Sequence, residues 1–445
     1  MNMKSKPNIL LLLSDQHRGD WLPYSPHTQN SMGLSSLPIR MPVIQRMMEQ
    51  GTAFYRAISP SPVCAPARAC LASGRRYAQC GVQNNFFDYD PSIPTFYSAL
   101  RDAGYQVAGT GKFDLRKNAK DWGIKGWNGF MERLGFTQGI DNAGKFDAAF
   151  TGAQEPQDPY MALLHQKGWA EYHAQDIIHR GNGTEPTLLP DELYCDNWIG
   201  ENSCRMVKNF EKERPWFLQV NFAGPHNPWD VTQSMRKKWE SIDFPPPNKQ
   251  EKNSGHDDIR IRQNYAAMLE NIDRICGDLI HQVYDRGELE NTIIIYTSDH
   301  GELLGDFGLF GKSRPERAAI HIPLVIAGPG IRQGIEDGSL VELQDLASTI
   351  LDLCGIAHSF TEESLSLRPI LTGNGKLSRK VQVSALDEGS HWKVVQNQNW
   401  KIVLVEGKLR EVYYRPEDLW ENENLMQQEN WMDSVSAALW DLFPG

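Results

Sequence analysis

The sequence predicts an α/β fold, with a large, mainly parallel sheet sandwiched by helices and a smaller α+β carboxy-terminal domain carrying an antiparallel sheet. Three observations predict it. Continuous apolar runs at 8–14 (NILLLLS) and 291–298 (NTIIIYTS) are what strands buried on both faces of a parallel sheet look like. Further runs at 105–110 (YQVAGT), 216–222 (WFLQVNF) and 323–327 (PLVIA) alternate with helical spacing at 43–50, 95–103 and 265–284, the strand, helix, strand grammar of such a sandwich. Late in the chain the pattern changes to short strands at 381–385, 392–396, 400–405 and 411–414 with a helix over 431–442, which suits an antiparallel sheet with one helix on it.

The change of pattern follows Leu371 and a Gly- and Lys-containing stretch, so the expected domains are 1–372 and 373–445. Segment 118–193 is rich in Gly, Trp, His and Gln with weak periodicity. A stretch of that kind is expected to form an elaborated surface or a lid.

Composition narrows the functional classes. A chain of 445 residues, 40% of them hydrophobic, can bury a large core, which excludes a disordered or fibrous protein. Lys plus Arg number 45 against 56 Asp plus Glu, and the net charge of -11 repels nucleic acid and anionic lipid. Neither nucleic acid nor membrane is an expected partner, and an anionic substrate must meet a local basic pocket. The early apolar run Ile9 to Leu13 is too short to span a bilayer and no small-residue cleavage site follows it. The expectation is a cytoplasmic protein on this chain, or a periplasmic or secreted one if an export segment was trimmed. Seven cysteines, an odd number scattered along the chain, read mostly as reduced thiols.

In open α/β sheets ligands sit outside the carboxyl ends of the strands, and Asp15, Lys112, His226 and Asp299 each follow a strand. Four polar residues leaving four strand ends point to one site. Between them lies the stretch 59–76 (SPSPVCAPARACLASGRR), where three prolines fix the approach to Cys64 and a helix begins beside its thiol. Arg68 stands four residues on, and a guanidinium and a helix amino terminus both favour anions there.

That stretch resembles the signature of the type I, formylglycine-dependent sulfatases of the alkaline phosphatase superfamily, Cys-x-Pro-Ser-Arg followed by Leu-Thr-Gly-Arg. Cys64, Pro66, Arg68, Leu71, Gly74 and Arg75 carry the match. It extends through Asp15-Gln16, Gly111-Lys112, the FAGPH run ending at His226, the TSDHGE run with Asp299 and His300, and the GLFGK run ending at Lys312. The resemblance implies that a formylglycine-generating maturation enzyme oxidises Cys64 to formylglycine. The hydrate of that aldehyde offers one hydroxyl as nucleophile and a second that expels sulfate by C–O cleavage. It implies one divalent metal on Asp15, Gln16, Asp299 and His300, and mostly oxygen donors put calcium first, with magnesium or manganese as the other candidates. Lys112 and Lys312 match the sulfate-binding lysines, His226 the histidine that contacts sulfate and can protonate the leaving oxygen, and Asn84 is a further substrate-binding candidate.

The departures from the family pattern are specific. Asp114 stands where the family has His in Gly-Lys-Trp-His-Leu, and to accept a proton its pKa would have to rise by burial. Ala67 replaces Ser in the signature, while Cys80 and Phe307 replace histidines and suggest a different leaving-group pocket. Trp127, Trp229 and Trp392 are read mainly as structural, with a role at the mouth of the site as the alternative. The expected function is hydrolysis of sulfate esters, with a sulfated small molecule or glycan, most simply a carbohydrate, as substrate. A phosphonate monoester or phosphodiester hydrolase of the same fold is the alternative, and a catalytically inactive glycan-binding protein is the alternative of another class.

Overall fold

The computed structural model describes residues 6–34, 36–249, 257–359, 363–387 and 391–442. Its strands are β1 (Asn8–Asp15), β2 (Gly51–Phe54), β3 (Ala57–Ile58), β4 (Gln106–Gly111), β5 (Gln138–Asp141), β6 (Trp216–Pro225) and β7 (Thr292–Ser298). They continue with β8 (Leu324–Ala327), β9 (Ile335–Asp337), β10 (Val341–Glu342), β11 (Gln382–Leu386), β12 (Trp392–Gln396), β13 (Trp400–Val405) and β14 (Lys408–Tyr414). The main sheet has eight strands in the order β5-β4-β6-β1-β7-β8-β2-β9. Five of them, β5 through β7, run parallel, whereas β8 pairs antiparallel with both β7 and β2.

The apolar runs are explained by burial on two sides. Along β1, Leu10 and Leu12 enter one core while Ile9, Leu11 and Leu13 enter the other. Helices Cys195–Asn209 and Asp258–Asp285 cover the first face, and helices Cys64–Ser73, Phe96–Asp102 and Asp345–Leu353 the second. The carboxy-terminal strands form an antiparallel sheet, β11-β12-β13-β14, with helix Trp431–Leu442 packed on it through Val435, Ala438 and Leu442. No helix among the described residues is long and apolar enough to cross a membrane.

Segment 118–193 is more regular than its composition suggests. It supplies edge strand β5 and the helices Gly129–Arg133, Gly144–Gly152, Pro159–Lys167 and Ala170–Arg180. The periodicity is weak because these helices are short, and two of them are capped by single polar residues, Asn128 and Asp158.

Gly111 closes β4 at φ 87°, and a Cβ there would lie 1.9 Å from the carbonyl oxygen of Asn221 on β6. The following N–H, that of Lys112, donates to this same oxygen at 3.0 Å. Gly111→Ala is expected to destabilise the protein by at least about 1–3 kcal/mol in urea unfolding, because both the positive φ and the close approach are lost to a side chain. An unchanged midpoint would contradict this account of how Lys112 is aimed.

Candidate active site

Adjacent parallel strands bring their carboxyl ends to one place. Asp15 ends β1, Asp299 follows β7, Lys112 follows β4 and His226 follows β6. Helix Cys64–Ser73 starts at the same point, with Cys64 in its first turn and Arg68 one turn later on the same face. Every residue of that helix is buried, and its amino-terminal Ala65 N–H donates to Asn85 Oδ1 at 3.1 Å.

Cys64 Sγ lies 2.8 Å from Lys312 Nζ, 3.3 Å from His300 Nε2, 3.5 Å from Lys112 Nζ and 3.8 Å from Asp15 Oδ1. Arg68 donates to Asp299 Oδ2 at 2.9 Å, to Asp15 Oδ2 at 3.3 Å and to the Lys112 carbonyl. Lys112 also pairs with Asp15. Burial raises the Asp15 carboxyl, but Lys112, His226, Lys312 and Arg68 outweigh it and hold the group well below the usual carboxylate range. Burial and Asp15 push the Cys64 thiol up, whereas Lys112, Lys312 and His300 bring it down to about 5. The site is built to stabilise negative charge at the position of that sulfur.

The residues fit a metal ion. Donor atoms of Asp15, Cys64, Asp299 and His300 all lie within 4.8 Å of one another. His300 Nδ1 bonds the Gly301 carbonyl at 3.0 Å, which leaves Nε2 as the ligating nitrogen. Gln16, at φ 71°, donates its backbone N–H to Asp299 Oδ1 at 3.0 Å and its side-chain amide to Glu302 and to Asn227 Oδ1. Those two acceptors fix the orientation of the amide, and Gln16 Oε1 is then a buried oxygen with no hydrogen-bond partner. An orphaned amide oxygen beside two carboxylates and an imidazole is a donor set for a hard divalent cation.

A cavity of about 320 Å³ opens from Cys64, lined by Lys112, Lys117, Lys120, Lys145, Lys312 and His226 among others. This is the basic pocket that an acidic protein needs for an anionic substrate. His226 Nδ1 bonds the Asn227 carbonyl and Nε2 meets Lys312 Nζ at 2.8 Å; burial first, and then Lys312, keep its pKa well below the usual histidine value. Lys145, Lys117 and Asn85 were not legible in the sequence. Lys145 and Lys117 come from the weakly patterned segment and its approach, where nothing local distinguishes a cavity lysine from a surface one.

Several expectations are corrected by the geometry. Asn85 and Phe86 line the cavity, whereas Asn84 turns its Oδ1 to the backbone N–H of Phe86 at 2.8 Å. Asp114 is buried beside the site but its pKa is lowered, not raised. Burial pushes it up, and Lys112, Lys117 and Arg68 more than reverse that. Its Oδ2 lies 3.3 Å from Lys112 Nζ and 3.2 Å from Lys117 Nζ, so it holds two cavity lysines as an ionised carboxylate and is a poor proton acceptor. Cys80 sits in the core, hydrogen-bonded to the carbonyls of Tyr77 and Val82, and Phe307 packs under Lys249, so neither reaches the cavity. Trp229 packs on Phe310, Trp127 on Phe113 and Phe136, and Trp392 donates to the Ser313 carbonyl, all in structural roles.

A family model described as Sulfatase matches residues 7–356. The chain is 27% identical over 451 residues to a choline-sulfatase of Rhizobium meliloti (strain 1021), covering 94% of this chain and 80% of that protein. It is 24% identical over 466 residues to an arylsulfatase of Clostridium perfringens (strain 13 / Type A), covering 97% of this chain and 92% of that one. In three dimensions it superposes on a phosphonate monoester hydrolase of Agrobacterium radiobacter with a TM-score of 0.79 at 20% identity, covering 99% of this chain and 95% of the other.

Adding calcium to chelator-stripped protein is expected to raise its stability by about 2.7 kcal/mol at a hundredfold excess over Kd. Gln16→Leu, which removes the orphaned oxygen, is expected to shrink that gain. A melting temperature indifferent to calcium, magnesium and manganese would count against the ligand set.

Proposed function

Because the chain belongs to the sulfatase family, enzymes that hydrolyse sulfuric esters, we propose that it cleaves sulfate esters of carbohydrate or aryl type at Cys64. The observation that carries this reading is the approach of two lysines, Lys112 and Lys312, to a buried, charge-stabilised Cys64 Sγ at 3.5 and 2.8 Å. In this reading Cys64 is matured to formylglycine, whose hydrate supplies the nucleophilic hydroxyl and the internal route for releasing sulfate. A divalent cation held by Asp15, Gln16, Asp299 and His300 would supply Lewis-acid charge, with calcium favoured by the oxygen-rich donor set.

The roles of the remaining residues follow from their contacts. Lys112 and Lys312 present ammonium groups where charge develops on the transferring oxygens, in a site from which water is largely excluded. Arg68, locked between Asp15 and Asp299, keeps both carboxylates oriented. His226 stays neutral and shares a hydrogen bond with Lys312, so a proton held between Nζ and Nε2 is available to the leaving oxygen. Asp114 positions Lys112 and Lys117.

The cavity also constrains the leaving group. Five lysines and Asp147 line it; Lys112, Lys117 and Lys145 are paired with carboxylates. The ammoniums of Lys120 and Lys312, in no ion pair with a carboxylate among the described residues, disfavour a quaternary ammonium such as choline while tolerating neutral or anionic groups. Phe86 and Phe146 beside them offer flat faces to a sugar or aryl ring.

Co-expression with a formylglycine-generating enzyme is expected to lower the mass of the Cys64 peptide by about 18 Da, the difference between a thiol and an aldehyde. The matured protein should hydrolyse an aryl sulfate faster than an aryl phosphonate, and both faster than choline sulfate. Preference for the phosphonate would move the reading to the phosphonate monoester hydrolases, and an intact thiol with no turnover would move it to an inactive glycan-binding protein.

Unlike Lys117, which pairs with Asp114, Lys120 makes no ion pair with a carboxylate among the described residues, and it lines the cavity as an exposed residue at its outer part. Lys120→Ala is expected to raise KM several-fold for a sulfate ester whose leaving group carries a carboxylate, with kcat nearly unchanged. An equal effect on a neutral aryl sulfate would remove Lys120 from leaving-group recognition.

A further inference from the structure

A second cavity, of about 270 Å³, lies between the catalytic sheet and the carboxy-terminal sheet, and it shares no lining residue with the cavity at Cys64. Three arginines line it. Arg56 comes from the turn between β2 and β3, Arg317 from the start of helix Arg317–Ile320, and Arg415 from the residue after β14. Among the described lining residues none is an aspartate or glutamate, and the uncharged polar ones include Gln398 and Asn399.

The charge there is unbalanced. None of the three guanidiniums lies within ion-pair distance of a carboxylate among the described residues, although those residues make 29 such contacts between acids and bases. The nearest acids lie outside the lining: Asp20 pairs with Arg18 at 2.7 Å, and Glu421 pairs with Lys401 at 2.5 Å and accepts the backbone N–H of Arg317 at 2.9 Å, so both offset the guanidinium charge only from a distance. The arginines bond instead to carbonyl oxygens: Arg317 to those of Met32 and Leu419 at 3.1 and 3.0 Å, Arg56 to that of Gln398 at 3.4 Å, and Arg415 to that of Asn397. Each such contact uses one or two of a guanidinium's five N–H groups and cancels no charge. Burial, and then repulsion from Arg56 and Arg317, lower the Arg415 pKa to about 9. His321, also in the lining, cannot supply a negative charge and is kept neutral, its pKa lowered to about 3 by burial and by Arg317. Arginine presents a rigid fork of donors suited to oxyanions, and three of them converge here on a cavity that no carboxylate among the described residues lines, with none of the three in an ion pair.

We propose that this inter-sheet cavity binds a free tetrahedral dianion, sulfate or phosphate, through Arg56, Arg317 and Arg415, and that the anion ties the carboxy-terminal sheet to the catalytic sheet. A volume of about 270 Å³ amounts to roughly nine waters at about 30 Å³ each, room for such an anion with part of its hydration shell. The site is independent of the reaction at Cys64 and does not require the sulfatase reading to hold.

The test measures binding of radiolabelled sulfate by equilibrium dialysis in a Lys312→Ala background, which weakens sulfate binding at Cys64. That protein is expected to bind one sulfate per chain in competition with phosphate, and adding Arg415→Met or Arg56→Met is expected to abolish the binding. In chloride buffer without sulfate the Arg56→Met protein should melt at or above the temperature of its parent, because a repelled cation has been removed, and in sulfate it should melt below it. Two variants guard against one that fails to fold, since Arg56 makes only one long hydrogen bond to a carbonyl. Absence of sulfate binding in the Lys312→Ala protein, or binding that survives both arginine substitutions, would overturn the proposal.

Discussion

Two carboxylates, Asp15 and Asp299, are buried at the ends of neighbouring parallel strands, and much of the site is arranged around neutralising them. Both are fully inaccessible to solvent. An unpaired buried carboxylate is costly enough that it would take up a proton or unfold the strand ends. Arg68 reaches both from helix Cys64–Ser73, Lys112 reaches Asp15 from β4, and His300 approaches from β7. The same cations that make the carboxylates tolerable also surround Cys64, so the electrostatics of stability and those of catalysis share one set of residues.

Sheet topology makes that sharing possible. In the order β4-β6-β1-β7 the four carboxyl ends are adjacent, although the chain visits them over nearly three hundred residues. Helix Cys64–Ser73 packs on one face and aims Arg68 across the ends of β1 and β7. Lys312 and His226 close the arrangement from the cavity side, where their contact links the ammonium near Cys64 to an imidazole that remains neutral. The second cluster of cations, at Arg56, Arg317 and Arg415, shows the opposite condition, guanidiniums converging on a cavity with no carboxylate in ion-pair contact among the described residues.

How far the sequence could be read depended on whether a property was local. Strands β1 and β7 were legible because burial on both faces demands an unbroken apolar run, and the alternation of Leu10 and Leu12 against Ile9, Leu11 and Leu13 bears this out. Ligand candidates at strand ends were legible for a related reason, since the strand fixes where the next residue points. The reversal of β8 was not legible, because an apolar run carries no direction. Neither was the state of Asp114: burial alone would raise its pKa, and only the placement of Lys112 and Lys117 against it turns the shift downward. Lys145 escaped notice because its partner, Asp230, lies 85 residues away, and the arginine cluster because its members come from three distant turns and helix ends.

The most direct test of the shared-charge account is a double-mutant cycle between Arg68 and Asp299, followed by urea unfolding of the unmatured, chelator-treated protein. Arg68→Met alone is predicted to cost about 3–5 kcal/mol by stranding buried carboxylates. Combining it with Asp299→Asn should cost clearly less than the sum of the two single changes, with a coupling of at least about 1 kcal/mol. Strict additivity of the two substitutions would contradict the claim that these buried charges hold one another in place.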